Sequence, residues 1–447
     1  MREWTQVPFG DLLKESVRNG IYKSKEFHGT GANIVNMGEL FAYPRLRDVR
    51  MKRVELNSSE LDRFSLKEGD LIFARRSLTA EGAGKCSIVL EVSGPTTFES
   101  SIIRARPDPT KANPLFLYYF FSSPTGLHRL DSIKRQVAVA GITGSDLTQL
   151  IIPKPPLEEQ IEIASILGVL DNKIDLNRQI NETLEAMARA IFKDWFVDFG
   201  PTRAKMEGRA PYLAPEIWSL FPDRLDDEGK PEGWEEKPLR YLGSVSIGGY
   251  WGDDNKDDTE KVQFLCLRGV DLEHLRDRGE CQSAPIRWGK IVAIEKRQIK
   301  SNDVLIAASG AGPCGRSLWL GDLAAKLSSI RVTYSNFVKL ISCRSKATAC
   351  FLDRILLEMR NSGEIWSYVN GTSVPNLNDA GLLDGKRFVV PPEPVMEEFA
   401  KIIRQNNEML FSGESATLAA TRDLLLPKLM SGEIRVKDAE KIMEAVA

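Results

Sequence analysis

PPLEEQIEIASILGVLDNKIDLNRQINETLEAMARAIFKDWFVDF, residues 155–199, decides how the chain is organised. Beyond its opening Pro-Pro it has no proline, and its single glycine is Gly168. Apolar residues return at alternating steps of four and three: Ile163, Leu167, Leu170, Ile174, Leu184, Ala188, Ile191 and Trp195. That alternation is the 3.5-residue period of a coiled-coil seam. Asn177 and Asn181 continue it with polar side chains, which cost stability but fix register and partner. At 1.5 Å per residue such a helix is a rod of roughly 60 Å. The outer face carries Glu158, Glu159, Glu162, Asp171, Asp175, Glu182 and Glu185, and by default such a face is solvated.

Working outward, residues 1–154 read as a mixed α/β lobe. Strands are expected at 33–37, 71–74, 87–90 and 102–105, and helices at 9–17 and 114–121. After the rod, residues 200–233 are rich in Pro, Gly and charge and read as a linker with one or two short helical turns. An internal repeat then begins. Trp4, Pro8 and Leu12 are echoed by Trp234, Pro238 and Leu242. GDLIFA at 69–74 is echoed by NDVLIA at 302–307, Ser100-Ser101-Ile102 by Ser328-Ser329-Ile330, and Pro155-Pro156 by Pro391-Pro392. The second Pro-Pro opens another helical run with a seam at Phe399, Ile403, Asn406, Leu410, Gly413, Thr417, Ala420 and Leu424. Gly413 suggests close helix approach, since glycine costs about 1 kcal/mol inside a helix, and Pro427 is expected to end the run. The organisation is a lobe at 1–154, a long helix at 155–199, the linker, a lobe at 234–390, a long helix at 391–436 and a tail at 437–447. Two rods with matching seams pair most simply with each other, antiparallel.

The net charge of −2 gives no global sign of nucleic-acid binding, but the first lobe is basic and the first rod acidic. Six cysteines without a CxxC pair and three scattered histidines argue against zinc, disulfide frameworks and His-based catalysis, with a reducing cytoplasm as the expected setting. No apolar run of membrane-spanning length and no leader is apparent.

The rod motif, the following FPD…EGW segment and LLLPKLMSGEIRV near the C-terminus resemble the specificity subunits of type I restriction-modification systems. The resemblance implies an α+β fold: two mixed α/β target recognition domains joined by two long helices forming an antiparallel coiled coil. It implies that each domain reads one half of a bipartite double-stranded DNA site. Two methyltransferase subunits would dock on the helices, and restriction subunits with translocase and nuclease activity would join that core. The chain would then be non-catalytic and hold no cofactor, with S-adenosylmethionine, ATP and Mg expected on the partners. Because the lobes differ outside the framework residues, the half-sites should differ.

In each lobe the loop after the central strand is the best candidate for DNA contact. The first offers Arg75, Arg76, Ser77, Thr79 and Lys85, and the second Ser309, Arg316 and Ser317. A second set lies late in each lobe: Lys134, Arg135, Gln136 and Thr143, then Asn370, Thr372, Ser373 and Asn376. Arginine grips guanine bidentately, and hydroxyls and amides bond base edges or phosphates. The plain alternative is an ordinary polar hairpin.

Three look-alikes fail. Residues 310–317 nearly spell a phosphate-binding loop, but Arg316 stands where lysine belongs and Pro313 removes a backbone donor. The carboxylates around Pro222-Asp223 lack strands to hold a metal. Neither Pro-Pro belongs to an adenine-methyltransferase tetrapeptide. A stand-alone nuclease or methyltransferase, and a coiled-coil adaptor that reads no DNA, are the rival functions.

Overall fold

The computed structural model describes residues 4–47, 49–79, 81–136, 140–256, 260–279, 281, 283–371 and 373–444. Two compact units divide the chain: residues 1–174 with 417–447, and residues 175–416.

In the first unit, strand Thr5–Pro8 pairs antiparallel with Ile151–Lys154, Thr5 opposite Lys154. A five-stranded sheet follows the order Arg18–Asn19, Ile102–Ala105, Leu71–Ala74, Cys86–Val89, Arg45–Leu46. Leu71–Ala74 is central and buried at every residue, as its unbroken apolar run requires. Helix Pro114–Ser122 is capped by Asn113, whose side chain accepts from the Phe116 amide at 3.0 Å. Its Phe121 meets Phe9 and Phe73 edge-on at 4.9 and 5.1 Å. The expected helix at 9–17 shrinks to one 3₁₀ turn, Phe9–Leu12. Phe9 and Leu12 anchor that turn in the core, and Leu13 then bridges Pro107 in extended backbone.

The second unit repeats this plan. Glu235–Pro238 pairs with Arg387–Val390, Glu235 opposite Val390. Its four-stranded sheet runs Gly243–Val245, Val338–Cys343, Asp303–Ala307, Ser317–Trp319. Asp70 and Asp303 begin the equivalent central strands in the same way, each accepting a backbone amide three residues back, Lys67 at 2.8 Å and Lys300 at 2.7 Å. One echo needs correction. The counterpart of Ser100-Ser101 is Asn336-Phe337, not Ser328-Ser329: the Arg75 amide donates to Ser101 O at 2.8 Å, and the Ala308 amide to Phe337 O at 2.7 Å. Ser328 instead precedes strand Arg331–Tyr334, which belongs to a different sheet.

The central helix spans Leu157–Phe196, 40 residues. In the first unit its Ile163, Leu167 and Leu170 share a core with Leu425, Leu426, Leu429 and Met430. In the second unit the seam is legible pair by pair. Asn177 Nδ2 donates to Glu414 Oε2 at 2.7 Å, Asn406 Nδ2 to the Leu184 carbonyl at 3.2 Å, and Phe196 packs on Phe399 at 5.3 Å. Numbers rise on one helix as they fall on the other, so the pair is antiparallel. Two members of the acidic face are engaged by arginines. Asp171 is buried, accepting from Arg422 at 2.8 Å and from the Tyr119 hydroxyl at 2.7 Å, and Glu185 accepts from buried Arg354 at 2.6 Å.

The C-terminal rod is not one helix. It is Glu393–Leu410 and Glu414–Met430, broken at Gly413, whose φ is +77°. A Cβ there would meet nothing within 4 Å, so a left-handed backbone, not close helix approach, calls for glycine. Pro427 does not end the helix. Interior proline costs about 3 kcal/mol, but burying Leu425, Leu426, Leu429 and Met430 at about 1.5–3 kcal/mol each outweighs it. The expected tail forms helix Val436–Glu444, with Ala439 buried. The linker carries helices Gly200–Met206 and Pro215–Trp218 and is packed down, Phe221 lying 5.2 Å from Trp195 and both residues buried.

Gly413→Ala should lower stability by about 1–2 kcal/mol through left-handed strain alone. Denaturant titration of the full chain measures this, and an unchanged midpoint would refute the strain argument.

Candidate nucleic-acid interface

Leaving the central strand of the first unit, the chain turns at Arg75 and forms strand Arg76–Ser77. This pairs with Ala140–Gly141, which pairs in turn with Arg135–Gln136. The two sequence-predicted sets, some 60 residues apart, are thereby joined in one three-stranded patch. The Ile142 amide locks them by donating to Arg75 O at 3.0 Å. The same junction recurs in the second unit. Ser309 bridges Asn376, the Leu377 amide donates to Ala308 O at 2.8 Å, and Asn370 pairs with Asn376 in a hairpin.

Within these patches the residues divide by task. Arg76, Thr79, Arg135, Asn370, Ser373 and Asn376 are exposed. Arg135 is held by Asp146 at 2.7 Å and Lys134 by Asp131 at 2.6 Å. Ser77 and Arg75 are half-buried, and the Arg75 guanidinium donates to Ser100 O at 3.3 Å. Gln136 takes its place in the strand, and Thr372 lies outside the described residues.

Other predicted contacts point inward. Lys85 donates to Phe41 O at 3.1 Å, lies over the Phe41 ring, and its pKa is lowered by burial. The Thr143 hydroxyl caps a short helix, accepting from the Asp146 amide at 3.2 Å. Ser309 is nearly buried, and Ser317 is a core residue whose hydroxyl donates to Asp353 O at 3.3 Å. Arg316 pairs with Glu273 at 2.6 Å. With Ser317 opening a strand instead of a helix, the 310–317 stretch lacks the helix terminus a phosphate loop needs.

A basic cleft escaped the sequence reading. His28, Arg50, Lys52 and Arg53 line an open cleft of about 1080 Å³ in the first unit. Arg50, Lys52 and Arg53 are exposed, and none has an ion-pair partner among the described residues. The signal lay in RLRDVRMKR at 45–53, but only strand Lys52–Val54 and its pairing with His28–Val35 bring these charges together. The short helix Met37–Ala42 links cleft to patch: Glu39 lines the cleft, and Phe41 holds Lys85.

Among the described residues no group of His, Cys, Asp and Glu could hold a metal ion, and no helix is long and apolar enough to cross a membrane. Burial pushes the thiols of Cys266 and Cys343 up to about 12, which removes them as thiolate nucleophiles at neutral pH. Duplicated α/β units with polar loop patches and an antiparallel helix pair define a two-unit α+β architecture. Residues 1–186 match a family model described as the type I restriction modification DNA specificity domain. The chain is similar to the specificity subunits of type I restriction-modification systems. It is 27% identical over 331 residues to the type I restriction enzyme MjaIX specificity subunit of Methanocaldococcus jannaschii, covering 72% of this chain and 69% of the relative. It is 23% identical to the HindI specificity subunit of Haemophilus influenzae across 97% of this chain and 100% of that one. In fold it is similar to the S subunit of a type I system from M. genitalium, with a TM-score of 0.55 at 14% identity over 95% and 96% of the two chains.

Thr143→Ala should cost about 1 kcal/mol through the lost cap, whereas Arg76→Ala, at an exposed position, should stay within about 0.5 kcal/mol of the parent. Paired denaturation curves check the distinction between residues that shape the patch and residues that present it.

Proposed function

We propose that this chain selects the DNA sequence on which a type I restriction-modification complex acts, each unit reading one half of an asymmetric bipartite duplex site. The observation that carries this reading is the repeat itself. Two units share closure strands, central strand and loop junction, yet offer different side chains at that junction: Arg76, Thr79 and Arg135 in one, Asn370, Ser373 and Asn376 in the other. A common frame with unlike contact residues is what two unlike half-sites require.

The chain does no chemistry in this reading. Two modification subunits dock on the helix pair, restriction subunits join that core, and S-adenosylmethionine, ATP and Mg belong to those partners. The assembly works in the cytoplasm. Phosphate attraction comes from Arg50, Lys52 and Arg53, none of which is held in an ion pair among the described residues.

The test has two arms. Replacing residues 1–154 with the same region of a relative should change one half of the methylated sequence mapped across a host genome and leave the other intact. Neutralising Arg50, Lys52 and Arg53 to alanine should weaken binding to all duplexes alike and reduce the slope of log affinity against log salt by about 3, near 0.9 per phosphate contact. An unchanged methylated sequence would refute the reading role, and an unchanged slope the phosphate role. Methyl transfer or strand cleavage by the pure chain would refute the non-catalytic role.

A further inference from the structure

We infer that the second unit recognises thymine through its 5-methyl group, in a cleft formed by Trp251, Val270, Phe337 and Val374. The inference rests on the DNA-reading role proposed above and names part of what that unit reads.

The cleft is open, of about 590 Å³. Trp251 is 37% exposed, Val270 36%, Phe337 64% and Val374 61%. Large apolar side chains gathered and left in water mark a contact surface. Ser309 lines the same cleft and bridges Asn376, while Val374 lies within the hairpin that carries Asn370 and Asn376. A duplex that meets the hairpin therefore meets Val374 and Phe337 as well.

The chemistry of base edges then narrows the ligand. In the major groove every recognition group is a hydrogen-bond donor or acceptor except the thymine methyl, which takes apolar contact. The charged side chain of the cleft does not call for a phosphate instead. Arg268 already bonds both oxygens of Asp271, at 3.0 and 3.1 Å, and Ser283 O at 2.6 Å.

Among the described residues the first unit does not repeat this surface at the positions of Phe337 and Val270. Its residue equivalent to Phe337 is Ser101, each carbonyl accepting the amide that follows the central strand. Val270, second after the helix cap Arg268, corresponds to Gly38, second after the cap Asn36. An aromatic persists at one position only. Tyr22 and Trp251 follow Ile21 and Tyr250, whose amides donate to the equivalent Phe98 O and Tyr334 O. A shared backbone with apolar groups added in one unit is how a difference in base preference is built.

The experiment uses the chain assembled with its modification subunit and a duplex carrying the methylation-mapped site. Thymines of the half read by the second unit are replaced by deoxyuridine, which removes only the methyl group. Binding should weaken about three- to tenfold per contacted thymine, and the same replacement in the other half should have no such effect. Phe337→Ser should reduce the thymine-to-uracil ratio to within about twofold while the complex still assembles. Equal binding of both duplexes, or a mapped half-site without a T·A pair, would overturn the inference. So would loss of the modification subunit from the Phe337→Ser complex, which would make the cleft a protein-docking surface. Failure of the unsubstituted site to outcompete scrambled DNA would instead sink the reading role itself.

Discussion

In each unit the first strand is paired, residue by residue, with the last. Thr5 to Pro8 lie against Lys154 to Ile151, and Glu235 to Pro238 against Val390 to Arg387. Chain entry and chain exit are thus fixed side by side, immediately before a Pro-Pro that cannot continue the ladder. The helix that follows is aimed by a hydrogen-bonded frame. Loops between the paired ends are free to differ, because neither closure nor helix entry depends on them.

That constraint explains which parts of the molecule could be anticipated. The helix seam was legible because one contiguous face with a 3.5-residue period admits few alternatives. The central strands were legible because Leu71–Ala74 and residues 304–307 are unbroken apolar runs, buried at every residue. Local breaks were not. Gly413 reads as a packing glycine, and only its φ of +77° reveals a break. Phe9 and Leu12 have helical spacing but serve as anchors for a single turn. The Ser-Ser-Ile echo was a coincidence of letters that strand pairing corrects.

The candidate surface was half legible. Sequence located the two loops of each unit, and the fold joins them into one patch. It could not say which side chains turn inward. Lys85, Thr143 and Ser317 have the chemistry of DNA contacts, but they are bonded to Phe41 O, the Asp146 amide and Asp353 O. The basic cleft was invisible for a related reason. Charges in and just before a short strand look like solvated surface until a neighbouring strand gives them a wall.

The first unit is completed by a segment far along the chain, beginning at Thr417. Leu425, Leu426, Leu429, Met430 and Ala439 complete the core built on Ile163, Leu167 and Leu170, and buried Asp171 finds its counter-charge in Arg422. During synthesis at about 5–20 residues per second, that apolar stripe waits uncovered for tens of seconds after it leaves the ribosome. A prematurely terminated product keeps it uncovered permanently. The first unit therefore cannot mature before residues 425–439 are made, and a polypeptide that stops short of them presents chaperones and proteases with an unfinished surface in place of a half-competent subunit.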